Sequence, residues 1–297
     1  MNIKVVIWGL RTTRHSHRYI HEGFYETFKR MGTDVIWVDD KAENQKYLDG
    51  TNLVFAVNIA SIRILNNPNN YYVTHNFNSQ DFIDAENVLK LQVWTNDSKG
   101  ESIDSSVALF NRDSRTLFQP WGLPEPESQW LNPRNMKGRT EYWVGAVWNN
   151  SINQGNQSAI TQYKSALRDQ GIGFRRVGGT RWLTRAGLSP HTAYGLVNKS
   201  PVGAAVVGEW QHSKGYIPCR LFKNVAAGSI PSSNSDFSSL FLNGIYNSNL
   251  NDLVTKVLNV SSSEKIERVK SAQSNLKLYK YENSINRIFE IITSFYR

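Results

Sequence analysis

Twice along this chain, short apolar runs of strand length alternate with helical periods, and a proline-rich interruption separates the two series. In the first series Ile3–Leu10 is a continuous apolar run, which fits a strand buried on both faces of a parallel sheet. A helix is predicted from near Ser16, with Ile20, Phe24, Phe28 and Met31 at three- and four-residue spacing and Gly32 as its stop. Asp34–Val38, Leu53–Ile59, Tyr71–His75, Val88–Thr95 and Val107–Phe110 read as further strands. The segment Gln119–Gly138 then holds four of the nine prolines and shows no usable period. After it the alternation restarts: strand Tyr142–Val147, a helix over 156–170 capped by Asn156, strand Gly173–Val177, helix Ser189–Asn198 and strand Gly203–Val207. A further helix and a strand at Ser229–Pro231 follow, and Leu250–Leu258, Ser263–Ser274 and Glu282–Tyr296 close the chain as helices.

Strands alternating with helices indicate α/β domains with mainly parallel sheets. The expected organisation is therefore a first α/β domain over residues 1–120, a linker over 121–138, a second Rossmann-like α/β domain over 139–276 and a terminal helix over 277–297. At 297 residues the chain is long enough for two ordinary cores. The apolar runs are far shorter than the roughly 20 residues of a membrane-spanning helix. Arg11, Arg14 and Arg18 follow the first run without a small-residue cleavage site, so it reads as a strand and not as a signal peptide. The single cysteine, Cys219, excludes an internal disulfide and argues for a reducing, cytoplasmic compartment, with peripheral attachment to a membrane left open. The net charge of +9 suits an anionic partner: nucleic acid, a membrane surface or a phosphate-bearing ligand.

The stretch Gly215-Tyr216-Ile217-Pro218-Cys219-Arg220-Leu221-Phe222-Lys223 continues through Ala226-Ala227-Gly228 to Pro231. It reads as a loop, a short helix packed through small residues, a glycine stop and a buried strand. Arg220 falls in the first turn of that helix, where unpaired backbone N–H groups and a guanidinium can both face an anion. A diphosphate suits such a place. The Glu141–Asn156 stretch offers a second anion-binding feature: strand, polar loop with Trp148, Asn149, Asn150 and Gly155, then a helix at Asn156. Open α/β sheets place ligands at such carboxyl ends of strands. Neither a Rossmann G-x-G-x-x-G nor a Walker loop is present, so neither a dinucleotide nor ATP is indicated. Gly178-Gly179 ends another strand, and Val207-Gly208-Glu209 leads from a buried strand towards Lys214.

The order G-Y-I-P-x-R-x-F-x-x-x-A-x-G-x-x-P resembles the donor-binding segment of GT-B nucleotide-sugar glycosyltransferases, closest in appearance to CgeB-like and family-1-like members. The resemblance implies two α/β domains facing a cleft, with the last helix crossing back onto the first domain. It also implies a nucleotide-diphosphate sugar as donor, a hydroxyl acceptor, and no metal or other cofactor. Donor binding would then involve Trp148, Asn149, Asn150, Gly155, Asn156, Gly178, Gly179, Glu209, Lys214, Gly215, Tyr216, Ile217, Arg220 and Lys223. Arg220, with Lys214, would neutralise the leaving diphosphate. Lys223 departs from the pattern, since related chains place there a glutamate that binds the nucleotide ribose.

The first domain would supply the acceptor side. The loop Arg11–Arg18 holds His15 and His17, with His21 one turn into the helix, and His75 and Asp97 follow later strands. An inverting transferase needs a base for the acceptor proton, and these are the candidates; a retaining one needs none. The acceptor would be a glycan or polysaccharide, which an anionic form would suit, or a modified nucleobase. The alternative is a nucleic-acid-binding protein, or a nucleic-acid-modifying glycosyltransferase with a basic groove in its first domain.

Overall fold

The computed structural model describes residues 3–9, 11–12, 18–56, 64–75, 85–94, 99–134, 138–149, 155–177, 189–236 and 242–295. Within it the chain forms two compact units, Met1–Pro124 with Tyr281–Arg297, and Glu125–Lys280.

The first unit is built on a sheet of eight strands among the described residues, in the order β2-β1-β3-β4-β5-β8-β7-β6. Strands β1 (Lys4–Trp8), β2 (Val35–Val38), β3 (Asn52–Ala56), β4 (Tyr71–Thr74), β5 (Val88–Gln92) and β8 (Thr116–Phe118) pair in parallel. Two short strands, β6 (Glu101–Ser102) and β7 (Leu109–Asn111), extend one edge in antiparallel fashion. The run expected as Val107–Phe110 thus belongs to a hairpin, whose return strand β8 has too few residues to show a period. Val5, Val6, Ile7, Trp8, Val54 and Phe55 are each 0% exposed, which is why these strands read as unbroken apolar runs.

Helix α1 (Arg18–Arg30) buries Ile20, Phe24 and Phe28 on one face, as their spacing predicts, while Met31, expected on the same face, follows the helix and is exposed. Its Gly23 is required by packing, because a Cβ there would stand 2.8 Å from the Tyr281 ring and 3.0 Å from Pro124. The terminal helix, Tyr281–Phe295, packs within this same unit. Tyr281 stacks on Phe24 at 4.4 Å, Phe289 meets Phe28 edge-on, and Arg287 pairs with Asp104 at 2.6 Å.

In the second unit β9 (Thr140–Val144) and β10 (Gly173–Val177) pair in parallel across helix α2 (Gln157–Asp169). Further elements are α3 (Pro190–Lys199), α4 (Glu209–Ser213), α5 (Cys219–Ala226), β11 (Ser232–Ser233), β12 (Ile245–Tyr246), α6 (Leu250–Leu258) and α7 (Ser262–Leu276), with Tyr281–Phe295 as α8 in the first unit. Strands β11 and β12 form their own parallel pair. Side chains start the helices where expected: Ser189 accepts from Thr192 N, Asn249 from Asn251 N and Asp252 N, and Ser261 from Glu264 N. Trp143, Ile160, Tyr163, Leu167, Val206 and Leu253 belong to one core.

The strand expected at Gly203–Val207 does not form a ladder. The segment is buried, but mostly side chains answer its backbone groups. Glu141 accepts from Val202 N and Gly203 N, Tyr163 from Ala204 N, and Asn234 from Val207 N. Asn224, Ser233 and Asn234 donate to the carbonyls of Gly203, Ala205 and Val207. A single backbone bond, Ala205 N to Ser232 O at 2.8 Å, ties it to β11. Apolar burial was legible in the sequence, whereas the source of the hydrogen bonds was not. The strand expected at Ser229–Pro231 forms instead directly after it, at Ser232–Ser233.

The charge is divided unevenly. Glu125–Lys280 holds 19 Lys and Arg against 9 Asp and Glu, while the rest of the chain holds 15 against 16. The whole positive excess therefore belongs to the second unit. A basic groove in the first domain, as the nucleic-acid alternative requires, has no net charge behind it.

Candidate functional site

The densest convergence of sequence-singled residues surrounds the carboxyl end of β9. Arg220 is the second residue of α5, and its guanidinium reaches back to the strand. Both Nε and Nη2 donate to Val144 O, at 3.3 and 3.1 Å. The Cζ atom lies 3.4 Å from the Trp143 ring centroid, so the cation is stacked on a buried indole. Gly145 makes this approach possible: a Cβ there would stand 2.4 Å from Arg220 Nη2, and its φ of +130° favours glycine.

The polar loop after β9 closes on the start of α2. Asn156 is the residue before that helix, but its side chain does not cap it. Its side chain is buried and accepts from Trp148 N at 3.0 Å, while Asn156 N and Gln157 N both donate to Trp148 O. Tying the loop consumes the side chain expected to cap the helix. Gly155 has φ +60°, and a Cβ there would meet Trp148 O at 2.1 Å. Gly208, just before α4, approaches the same turn so closely that a Cβ would stand 1.8 Å from Gly155 O. Backbone thus packs on backbone beside the helix start, which is why both positions are glycine.

The remaining donor-side candidates fall in two groups. Trp148 is half-buried and Asn149 exposed on the loop, and Glu209 is exposed at the start of α4. Lys214 follows α4 and Gly215 turns with φ +64° into Ile217, which is buried. Burial and the nearby Cys219 push the Tyr216 phenol pKa up, with Arg220 opposing, so Tyr216, Cys219 and Arg220 form one neighbourhood. Lys223 turns aside: its Nζ lies 3.9 Å from Glu125 Oε1. Asn150, Gly178 and Gly179 lie outside the described residues.

Beneath the site, Glu141 is fully buried within β9 and receives the Tyr163 hydroxyl at 3.0 Å. Desolvation pushes its pKa up to about 7, against hydrogen bonds from Val202, Tyr163 and Gly203 that favour the charged form. Sequence reading missed Glu141, Tyr163, Gly145, Trp143 and Gly208 as parts of the site. The available signal was weak: a charged residue opening an apolar strand, and glycines directly after strand ends.

In the first unit, His75 follows β4 at the carboxyl edge of the sheet. It is 3% exposed, its Nδ1–H donates to Leu91 O at 2.8 Å, and its ring meets Trp121 edge-on at 4.8 Å. Burial lowers its pKa to about 4, so the ring is neutral near pH 7, with Nε2 as its acceptor nitrogen. His21 has a structural part: its Nδ1 and Trp37 Nε1 both donate to Gly9 O. The start of the basic loop is held by Asp39, which accepts from Thr12 N and Thr12 Oγ1, and by Arg11 donating to Trp37 O. His15, His17 and Asp97 lie outside the described residues. Among the described residues, no three His, Cys, Asp or Glu side chains gather as a metal cluster, and no helix is long and apolar enough to cross a membrane.

No protein-family model matches the chain, and no curated protein is similar to it in sequence. Solved structures are similar. An alpha-glucosyltransferase in complex with UDP and a 13-mer DNA containing a central A:G mismatch matches 98% of this chain and 100% of its own, with TM-score 0.61 and 11% identity. The alpha-glucosyltransferase AGT in complex with UDP matches 98% and 100%, with TM-score 0.61 and 10% identity. A structure of trehalose-6-phosphate synthase, from work on glycosyl transfer with retention, matches 98% of each chain at TM-score 0.58 and 10% identity. At these identities the likeness is one of fold, and the chain has the mixed α/β fold of GT-B glycosyltransferases with a helical C-terminus.

Proposed function

We propose that this chain is a glycosyltransferase that moves a sugar from a nucleoside-diphosphate sugar to a hydroxyl acceptor without a metal ion. The observation that carries the reading is Arg220, fixed on Trp143 and Val144 O at the first turn of α5. The bond between the anomeric carbon and the β-phosphate oxygen breaks, its electron pair goes to the diphosphate, and the acceptor oxygen bonds to the carbon. Charge builds on the departing phosphate, so donors already held in place stabilise that stage most. Arg220 and Lys214, with the N–H groups that open α2 and α5, are assigned this work. Trp148, Asn149, Gly155, Asn156, Glu209, Gly215, Tyr216 and Ile217 line the donor, joined by Asn150, Gly178 and Gly179.

The motif's likeness to CgeB-like and family-1-like chains adds support, and fold neighbours solved with UDP make uridine the first nucleotide to test. The acceptor proton is assigned to His75, whose Nε2 is oriented by the bond at Nδ1; His15, His17 and Asp97 are the other candidates. A nucleic-acid acceptor is a second reading, favoured by a fold neighbour solved with DNA. A reducing, cytoplasmic compartment agrees with the single cysteine.

Calorimetry with UDP, GDP, ADP and their sugars on wild type and Arg220→Ala tests the donor site. The expected result is binding of one nucleoside diphosphate that weakens in the variant and persists in chelator; binding of none overturns the reading. Transfer to glycan or to modified DNA, followed with a radiolabelled donor, separates the acceptors.

A further inference from the structure

Glu141 is buried in β9, outside the donor contacts assigned above. Val202 N donates to Oε2 at 3.2 Å, Gly203 N to Oε1 and Oε2 at 3.0 and 3.2 Å, and the Tyr163 hydroxyl to Oε1 at 3.0 Å. Tyr163 Oη in turn accepts from Ala204 N at 3.4 Å. With Glu141 ionised, each of these donors has an acceptor. A carboxylic acid would bring one more hydrogen into the cluster and remove an acceptor site. Consecutive backbone N–H groups converging on one anion suit the charged form as well.

The stretch that this carboxylate holds has little else to fix it, since its one backbone bond to β11 runs from Ala205 N to Ser232 O. It leads directly to Gly208, which packs so closely on the loop after β9 that a Cβ would stand 1.8 Å from Gly155 O. A second route runs along β9 itself. Glu141 and Trp143 alternate onto the same face of the strand, and the Trp143 ring carries the Arg220 guanidinium at 3.4 Å. The Arg220 charge is felt as far as the Tyr163 phenol. One buried carboxylate therefore underlies both the loop and the arginine that the donor reading uses.

We propose that Glu141 is a positioning residue for the donor site: in its ionised form it fixes Val202–Ala204, and through them the seat of Gly208 on the loop before α2. The inference rests on the donor reading above. Burial opposes the charge and pushes the Glu141 pKa up to about 7, so proton uptake near neutrality competes with this arrangement. The groups around it keep their state there. Tyr163 from α2 and Tyr194 from α3 have phenol pKa values pushed up and stay protonated. Arg220 from α5 stays charged, and Phe174, the register partner on β10, brings no charge. Arg176 on β10 and His191 and Lys199 on α3 are exposed.

The probes are UDP-glucose, GDP-mannose and ADP-glucose, because a diphosphate esterified at both ends exchanges no proton between pH 6 and pH 8. Calorimetry follows their affinity across that range for wild type and Glu141→Gln, each checked by thermal unfolding. Wild type is expected to bind one probe about tenfold more tightly at pH 8 than at pH 6, as the ionised fraction grows. Glu141→Gln, neutral at every pH and of nearly the same shape, should bind at the level of wild type at pH 6, with no slope. If that variant fails to fold, Tyr163→Phe carries the test. Loss of one donor to the carboxylate should move the affinity profile to higher pH, and an unmoved profile counts against the proposal. A wild-type affinity that is flat with pH, or a folded Glu141→Gln that keeps the wild-type slope or the affinity of pH 8, overturns this inference alone. A wild type that binds none of the probes overturns the donor reading and the positioning role with it.

Discussion

The Arg220 guanidinium lies 3.4 Å from the centroid of the Trp143 ring, with Val144 O accepting from two of its nitrogens. The ring and the carbonyl hold the cation before any ligand arrives. Arg220→Ala should lower nucleoside-diphosphate affinity about 10- to 100-fold, the scale of hydrogen bonds to a charged group. Arg220→Lys should recover little of it, since an ammonium cannot stack or fork as guanidinium does. Calorimetry with folded variants measures both.

Gly145→Ala acts on the same arginine from the other side. The new methyl would occupy a point 2.4 Å from Nη2, at a φ of +130° that disfavours alanine. The guanidinium must swing away from Val144 O. Donor affinity should fall by about tenfold while the rest of the unit stays folded, as circular dichroism would report.

At Gly208 the neighbour is backbone and cannot rotate away. A Cβ would stand 1.8 Å from Gly155 O and 2.8 Å from its carbonyl carbon. Gly208→Ala should therefore destabilise the unit by about 1–3 kcal/mol, read as a fall of several degrees in Tm, with loss of donor binding.

The two units should answer pH in opposite directions. Glu141 has a folded pKa raised from 4.5 to about 7, so the native state binds more protons than the unfolded one between those values. Its contribution to stability declines as pH rises through that window. His75 has a folded pKa lowered from 6.5 to about 4, so the unfolded state binds more protons there, and stability declines as pH falls from 6.5. Urea unfolding at pH 5 and pH 7 should show Glu141→Gln flattening the first trend and His75→Asn flattening the second.

Much of the framework was legible because burial writes itself into sequence. Ile3–Leu10 announces β1, and Ile20, Phe24 and Phe28 announce α1, since one face or both must be apolar. The α5 motif was legible too, because a proline before a helix and small residues within it leave few alternatives. The close approaches were not. Gly145 and Gly208 matter through atoms 75 and 53 positions away in the chain, at Arg220 and Gly155. Glu125 lies in a proline-rich stretch that suggests only a linker, so its approach to Lys223 was out of sight.

The segment from Val202 to Val207 has a consequence for how this chain can change over time. A strand in a ladder shares its hydrogen bonds with a neighbour whose side chains are nearly free to drift. Here the acceptors and donors are the side chains of Glu141, Tyr163, Asn224, Ser233 and Asn234. Those five identities are bound to the path of the main chain, while Ala204 and Ala205 need only stay small. Descendants of this sequence should therefore keep a scattered polar set and vary the apolar run it serves, the reverse of what an inner strand ordinarily permits.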